Sequence, residues 1–212
     1  MKRRTSALSL SAAAAVLLTA PMLTGCSTDS HPGAAAVVGD EVISIAEVQD
    51  YVQEVRDGQL AQPDAEQSLA ESSSLTRSIV HQQVFNALVK AAAEDAGIEV
   101  TTREVQDQRA LTEEQLGGPE ALDEAAIAEF IAPSKVDDTF RSALYQDKLW
   151  RHYGNDDARI TAALKEAATE VGVTLNPRYG DWDEEQFAIT EPDTPWLNTL
   201  AEEPGVPEAL PE

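Results

Sequence analysis

Residues 171–183 read VGVTLNPRYGDWD, and this stretch decides the fold. Its first half alternates apolar and polar residues, which predicts a short β-strand ending near Leu175. Asn176-Pro177 predicts a turn after the strand, because proline cannot donate a backbone hydrogen bond and disfavours helix in the residue before it. Tyr179 and Trp182 come next, so an aromatic cluster follows the strand directly. A strand at this position needs a pairing partner elsewhere in the chain.

The candidate partner lies near the start of the chain. Residues 36–43 read AVVGDEVI, which predicts two short β pieces joined by a turn at Gly39-Asp40. Ser44 and Glu47 follow with the spacing of a capping box, in which each side chain satisfies the backbone N–H of the other. The first helix is therefore predicted to begin directly after this β segment.

Helical periodicity dominates the residues between the two β segments. Apolar residues recur there at intervals of three and four, as in amphipathic helices. The widest apolar stripe lies in residues 74–96, so we expect that helix to be central and largely buried. The sequence predicts a mainly α, single helical domain with a small β element formed by its N-terminal and C-terminal segments. The helices are predicted near residues 45–56, 74–96, 102–116, 122–131, 135–150 and 158–171, with Asp57-Gly58 ending the first and Ser134 capping the fifth.

The order of these elements resembles a known family. AVVGDEVIS at residues 36–44 and VTLNPRYGDW at residues 173–182 are similar to the two ends of the N-terminal chaperone domain of SurA/PrsA-type foldases. The resemblance implies that Val173 and Leu175 complete a sheet begun by Val37 and Val38, with the aromatic residues over its end. The alternative is a surface loop whose aromatic side chains fill a gap in an unrelated helical domain.

Many members of that family carry a parvulin isomerase domain before the last helix. Here only RHYGNDDAR, residues 151–159, separates the last two predicted helices, which is too short for a further domain. The resemblance therefore implies the chaperone module without isomerase activity. We assign no catalytic residue, no metal ligand and no cofactor, and we expect a protein that is not an enzyme.

The N-terminus has the features of an export signal. Basic residues at positions 2–4 precede an apolar run that is too short to span a membrane, which takes ~20 residues. LTGC at residues 23–26 resembles the lipobox of bacterial lipoproteins. That resemblance implies cleavage between Gly25 and Cys26, acyl chains such as palmitate on Cys26, and anchoring to the extracytoplasmic side of the cell membrane. The alternative is a plain secretory signal with a chance cysteine near its end.

The charge of the chain excludes some partners. The chain holds 15 basic and 38 acidic residues, and removal of residues 1–25 changes its net charge from −23 to −26. Such a charge repels nucleic acid and anionic head groups, so we expect no nucleic-acid partner. The predicted organisation is a signal peptide at 1–25, a tether at 26–35, the helical domain at 36–183 and a mostly disordered acidic, proline-rich tail at 184–212.

Two functions fit these features. One is a membrane-anchored chaperone that holds unfolded or exported polypeptides, with Tyr145, Trp150 and Tyr153 as candidate peptide-binding residues. The helical spacing of these aromatic residues equally suits a packed core. The other is a non-enzymatic adaptor lipoprotein of the cell envelope that binds one folded partner. A solute-binding lipoprotein fits less well, because such proteins usually have two α/β lobes.

The lipid anchor predicts the behaviour of one variant. Cys26→Ser removes the only thiol that could form the thioether, so lipid labelling is expected to disappear and the protein to leave the membrane fraction. Metabolic labelling with a fatty-acid analogue and fractionation measure both effects, with Ser30→Ala as the control. Membrane association of Cys26→Ser equal to that of the unchanged protein would contradict the anchor.

Overall fold

The computed structural model describes residues 31–62 and 74–190. The first sheet and the helices follow the predicted order, and a second, two-stranded sheet that the sequence did not predict lies at residues 181–190. The elements are β1 (Ala34–Val38), β2 (Glu41–Ser44), α1 (Ile45–Leu60), α2 (Leu75–Asp95), α3 (Thr102–Leu116), α4 (Pro119–Ala128), a 3-10 turn (Pro133–Lys135), α5 (Val136–His152), α6 (Asp157–Val171), β3 (Val173–Leu175), β4 (Asp181–Asp183) and β5 (Ala188–Thr190).

The first sheet joins the two ends of the domain. Its strand order is β2-β1-β3 and both pairings are antiparallel. Val38 lies opposite Val173, and Val37 lies opposite Thr174. The structure therefore confirms that the strand after the last helix completes the sheet that the N-terminal strand begins, and that the protein is mainly helical with a small β element.

Hydrogen bonds around Asn176 fasten this junction. Its backbone N–H donates to the carbonyl oxygen of Ala35 at 2.9 Å, and its side-chain Nδ2 donates to the carbonyl oxygen of Ala34 at 3.0 Å. Its Oδ1 accepts from the backbone N–H of Arg178 at 3.1 Å, which shapes the turn that follows. One asparagine thus extends the pairing of β3 with β1 beyond the strand itself.

Helix α2 lies at the centre of the domain, as its wide apolar stripe predicts. It contacts α1, α5, α6, both strands of the N-terminal hairpin (β1 and β2) and β5. Its first half packs into a core cluster with the sheet and α1, and its second half packs into another cluster with α5 and α6. The largest side chains that these two clusters bury completely are Val48, Val55, Val80, Val84, Leu88, Val89 and Leu149.

Local signals set three of the helix ends. The capping boxes at Ser44 and Thr101 are both formed, with Glu47 and Glu104 returning hydrogen bonds to the cap residues. Gly97 ends α2 with a positive φ of 71°, while the N–H of Ile98 donates to the carbonyl oxygen of Ala93. This is the αL ending that glycine adopts without the steric cost of a Cβ.

Two boundaries near the N-terminus differ from the prediction. Helix α1 does not end at Gly58 but continues to Leu60. A Cβ on Gly58 would lie 2.4 Å from Cδ1 of Ile127, so this glycine allows α4 to approach α1 closely. Residues Ala34 and Ala35, assigned to the tether, are buried within β1. They are small and carry no side-chain polar group, so the sequence alone did not separate them from a linker.

Two further differences lie in the second half of the domain. Ser134 does not cap α5; its backbone N–H and hydroxyl both donate to the carboxylate of Glu54 in α1. The folded chain continues past residue 183, because β5 pairs with β4 through Thr190. Phe187 and Ile189, two apolar residues of this acidic segment, pack against the core.

Several predictions fall outside the described residues. These are the signal peptide at 1–25, lipid attachment at Cys26 with cleavage after its neighbour Gly25, the first half of the tether at 26–30, and the acidic segment from residue 191 onward. Among the residues that are described, no helix combines the length and the hydrophobicity needed to cross a bilayer.

The junction of β1 with β3 predicts the effect of Asn176→Ala. This change leaves the half-buried carbonyl oxygen of Ala34 without its side-chain donor, so the free energy of unfolding is expected to fall by about 1–3 kcal/mol. Urea denaturation measures it. Asn86→Ala is the control, because the Asn86 side chain forms no hydrogen bond with the described residues. Equal midpoints for Asn176→Ala and the unchanged protein would contradict the role of Asn176.

The capping box of α3 predicts an acid-dependent contribution to stability. A hydrogen bond from Lys148, and then those from Thr101, lower the pKa of Glu104 to about 2. A carboxylate whose pKa is lower in the folded state stabilises the fold above its unfolded pKa and loses that effect as the pH falls. Glu104→Gln is therefore expected to be less stable than the unchanged protein at pH 7.

This difference in stability should shrink as the pH falls from about 4.5 towards 2, since protonation removes the same charge from the unchanged protein. Urea denaturation across that range measures it. Glu124→Gln is the control, because Glu124 is exposed and forms no ion pair with the described residues. A gap between Glu104→Gln and the unchanged protein that stays constant with pH would contradict the prediction.

Candidate functional site

A cleft of about 380 Å³ opens between the N-terminal hairpin and three helices. We call it the central cleft. One wall is β2, another is the exposed side of α2, and α1 and the first half of α5 complete it. Its lining residues are Glu41, Val42, Ile43, Glu47, Tyr51, Gln82, Gln83, Asn86, Ala87, Lys90, Lys135, Asp138, Thr139, Arg141, Ser142 and Tyr145.

The β2 wall presents apolar surface to the cleft. Strand β2 is an edge of its sheet, and no strand of the described residues pairs with its outer side. Val42 sits on this strand with 43% of its surface exposed, while the neighbouring Ile43 is buried in the core. An exposed valine on an unpaired strand edge offers both an apolar contact and free backbone groups to a bound molecule.

The charged residues of the cleft compensate one another. Nζ of Lys90 lies 3.1 Å from a carboxylate oxygen of Glu41. Asp138 forms ion pairs with two cations, Lys135 at 3.5 Å and Arg141 at 3.2 Å. The cleft therefore has little net charge, although the whole chain carries −23. A polypeptide segment of either sign would meet little local repulsion there.

Hydrogen bonding shifts the pKa values of two charged residues in this cleft. The hydrogen bond from the Ser44 side chain, aided by that from its backbone, lowers the pKa of Glu47. The hydrogen bond to Glu41 raises the pKa of Lys90. Both residues therefore stay ionised near neutral pH. Burial raises the pKa of Tyr51, which keeps its phenol protonated as a possible donor.

The structure separates the three predicted peptide-binding aromatics. Tyr145 lies in the wall of the central cleft, with 8% of its surface exposed. Trp150 and Tyr153 do not line the cleft; they are half-buried and pack against the cluster that includes Leu149. Tyr153 also contacts the guanidinium of Arg159, which lies 5.4 Å from the centre of its ring. The role of all three residues in binding stays a prediction.

Most of the cleft was not visible in the sequence. Gln82, Gln83 and Asn86 look like an ordinary solvated helix face until β2 and α5 are placed around them. One weak signal was present at Val42, an apolar residue beside Glu41 on a short predicted strand. Side-chain amides, hydroxyls and apolar groups in one open site suit non-covalent binding of a peptide.

His81 lies beside Gln82 in the chain but faces the C-terminal hairpin formed by β4 and β5. Its Nε2 lies 2.8 Å from the carbonyl oxygen of Phe187, and its ring lies near those of Phe85 and Trp182. It therefore contacts the C-terminal hairpin rather than the cleft. Within residues 31–62 and 74–190, no three His, Cys, Asp or Glu side chains come close enough to hold a metal ion.

Comparison with known families agrees with this architecture. A family model described as SurA-like N-terminal domain matches residues 1–114, which is more than half of the chain. The match includes the N-terminal hairpin, α1 and α2, and it ends within α3. No curated protein matches the chain, and neither does any solved structure. The family match and the pairing of β1 with β3 together show that the chain belongs to the family of SurA-like N-terminal domains.

Proposed function

We propose that this protein is a chaperone that holds exported polypeptides in an unfolded state outside the cytoplasm. Membership of the SurA-like N-terminal domain family supports a chaperone-like role in folding and is consistent with polypeptide substrates. The observation that carries the proposal is the central cleft, which combines an exposed strand edge, amide side chains and locally balanced charge.

Each part of the cleft has a function in this proposal. Val42 covers an apolar side chain of the client, and Gln82, Gln83 and Asn86 exchange hydrogen bonds with its backbone. Because Lys90, Lys135 and Arg141 are matched by carboxylates, the cleft does not select strongly for client charge. The negative charge of the remaining surface keeps the loaded chaperone in solution by repelling other copies.

We further propose that the protein acts without isomerase activity and from a lipid anchor on Cys26. The short connection between α5 and α6, residues 153–156, supports the first point, since it is a turn with Asp156 as the N-cap of α6. The lipobox-like LTGC supports the second. An anchor would hold the domain on the extracytoplasmic face of the membrane, where exported chains emerge.

Suppression of aggregation tests the proposed function. A soluble form starting at Ser27 is expected to slow the aggregation of a chemically unfolded client, as light scattering measures. Val42→Asp places an uncompensated charge in the cleft, so it is expected to weaken client binding about tenfold, the equivalent of about 1.4 kcal/mol. Leu111→Asp is the matched control, because Leu111 is 49% exposed and lies outside the cleft.

The outcomes separate the proposed function from its alternative. If the soluble form neither binds unfolded polypeptide nor slows its aggregation, the chaperone proposal fails. Crosslinking in intact cells then distinguishes the adaptor: one stoichiometric folded partner indicates an adaptor, whereas many unfolded clients indicate a chaperone. Equal loss of activity in Val42→Asp and Leu111→Asp would show that the binding surface is not the central cleft.

A further inference from the structure

A second cleft, of about 620 Å³, lies where α1, the start of α2 and the turn after β3 meet. We call it the arginine cleft. Arg56 enters it from α1, and Arg178 enters it from the turn that Asn176-Pro177 begins. Gln53, Thr76 and Tyr179 surround these two arginines with hydrogen-bonding groups and one aromatic ring.

Both arginines belong, with Arg77 and Arg159, to the minority of basic residues that form no ion pair with the described residues. Most Lys and Arg side chains of the described residues contact a carboxylate. Arg56 and Arg178 are exposed, yet neither forms an ion pair with any carboxylate of residues 31–62 and 74–190. The guanidinium of Arg178 instead lies 5.9 Å from the centre of the Tyr179 ring. Asp50 also lines the cleft, which leaves it one net positive charge.

The described chain ends next to the turn that carries Arg178 and Tyr179. Thr190, the last residue of β5, pairs with Asp181. Its carbonyl oxygen lies so close to Gly180 that a Cβ on that glycine would be 2.1 Å away. Thr190 therefore lies against Gly180, which is two positions along the chain from Arg178. Three extended residues span about 10 Å, so the first carboxylates beyond Thr190 can reach the cleft.

The segment that starts there has the complementary charge. Residues 191–212 contain six acidic side chains and no Lys, Arg or His. They also contain three large apolar side chains close together, Trp196, Leu197 and Leu200. A carboxylate-rich segment with an apolar centre matches a cleft that offers two unpaired guanidinium groups, hydroxyls and an aromatic ring.

We propose that residues 191–212 bind the arginine cleft of their own chain, with their carboxylates on Arg56 and Arg178. A single exposed ion pair is weak, but attachment to β5 gives the segment a high effective concentration at the cleft. The bound segment braces the C-terminal hairpin against α1. This interaction is independent of the proposed chaperone activity, since the arginine cleft and the central cleft share no lining residue.

Site-specific photocrosslinking in the full chain tests the proposal. A photoreactive amino acid at position 197 is expected to crosslink to residues 49–56 or 176–179 of the same molecule, which mass spectrometry maps. A mixture of isotopically light and heavy protein separates crosslinks within one chain from those between chains. Crosslinks mainly between chains would overturn binding within one chain and indicate a second copy as the partner.

Charge reversal provides the second arm of the test. The double variant Arg56→Glu/Arg178→Glu is expected to reduce the yield of the mapped crosslink several-fold. In the unchanged protein, about 0.5 M salt is also expected to reduce this yield, because salt screens exposed ion pairs. Arg159→Glu is the matched control, because Arg159 is also exposed, lies over a tyrosine ring and forms no ion pair with the described residues.

The remaining outcomes decide against the proposal. Crosslinks that do not fall on charge reversal, or that fall equally with Arg159→Glu, would show that the arginines do not hold the segment. Crosslinks spread over the whole surface would show that the segment has no binding site on its own domain. Circular dichroism of each variant confirms that a lost crosslink does not reflect a lost fold.

Discussion

Strand β1 has a neighbour on each side only because β3 returns from the far end of the domain to pair with it. Without β3, the backbone N–H and C=O groups of β1 on the side of β3 would lose their hydrogen-bond partners. Ala35, Ala36 and Val38 are buried in this strand, and buried backbone groups are costly to leave without partners. The sheet in turn supports α2, which contacts both strands of the N-terminal hairpin. Because β2 and α2 are walls of the central cleft, the cleft depends on the same pairing.

Features that a short stretch of residues controls could be predicted from the sequence. Ser44 and Glu47 set the start of α1 through local hydrogen bonds, so their spacing was sufficient to predict it. The apolar stripe of α2 likewise identified the central helix. Gly58 was misread because its role depends on Ile127 of α4, and no local pattern distinguishes a helix-ending glycine from one that allows close packing. The prediction that Ser134 caps α5 was wrong for the same reason, since Ser134 donates its hydrogen bonds to Glu54 of α1.

The candidate site was less predictable than the fold because four elements assemble it. Tyr145 was identified as a candidate, but the periodicity that revealed it also placed Trp150 and Tyr153 in the candidate set, although they pack elsewhere. The ion pair between Lys90 and Glu41 joins α2 to β2, and no pattern in the sequence indicates it. The net charge is a property of the whole chain and therefore said little about the cleft, where cations and carboxylates form local ion pairs.

The route of the chain through the first sheet also bears on when the protein can fold. Ribosomes make the amino end first, so β1 and β2 emerge long before β3, and the β1 edge that faces β3 stays open until residue 175 is available. Pairing between segments so far apart is slow, because a long loop has to close before any contact compensates for the lost chain entropy. The first sheet is therefore completed late in synthesis, and the N-terminal hairpin lacks its third strand until residues 173–175 have been made.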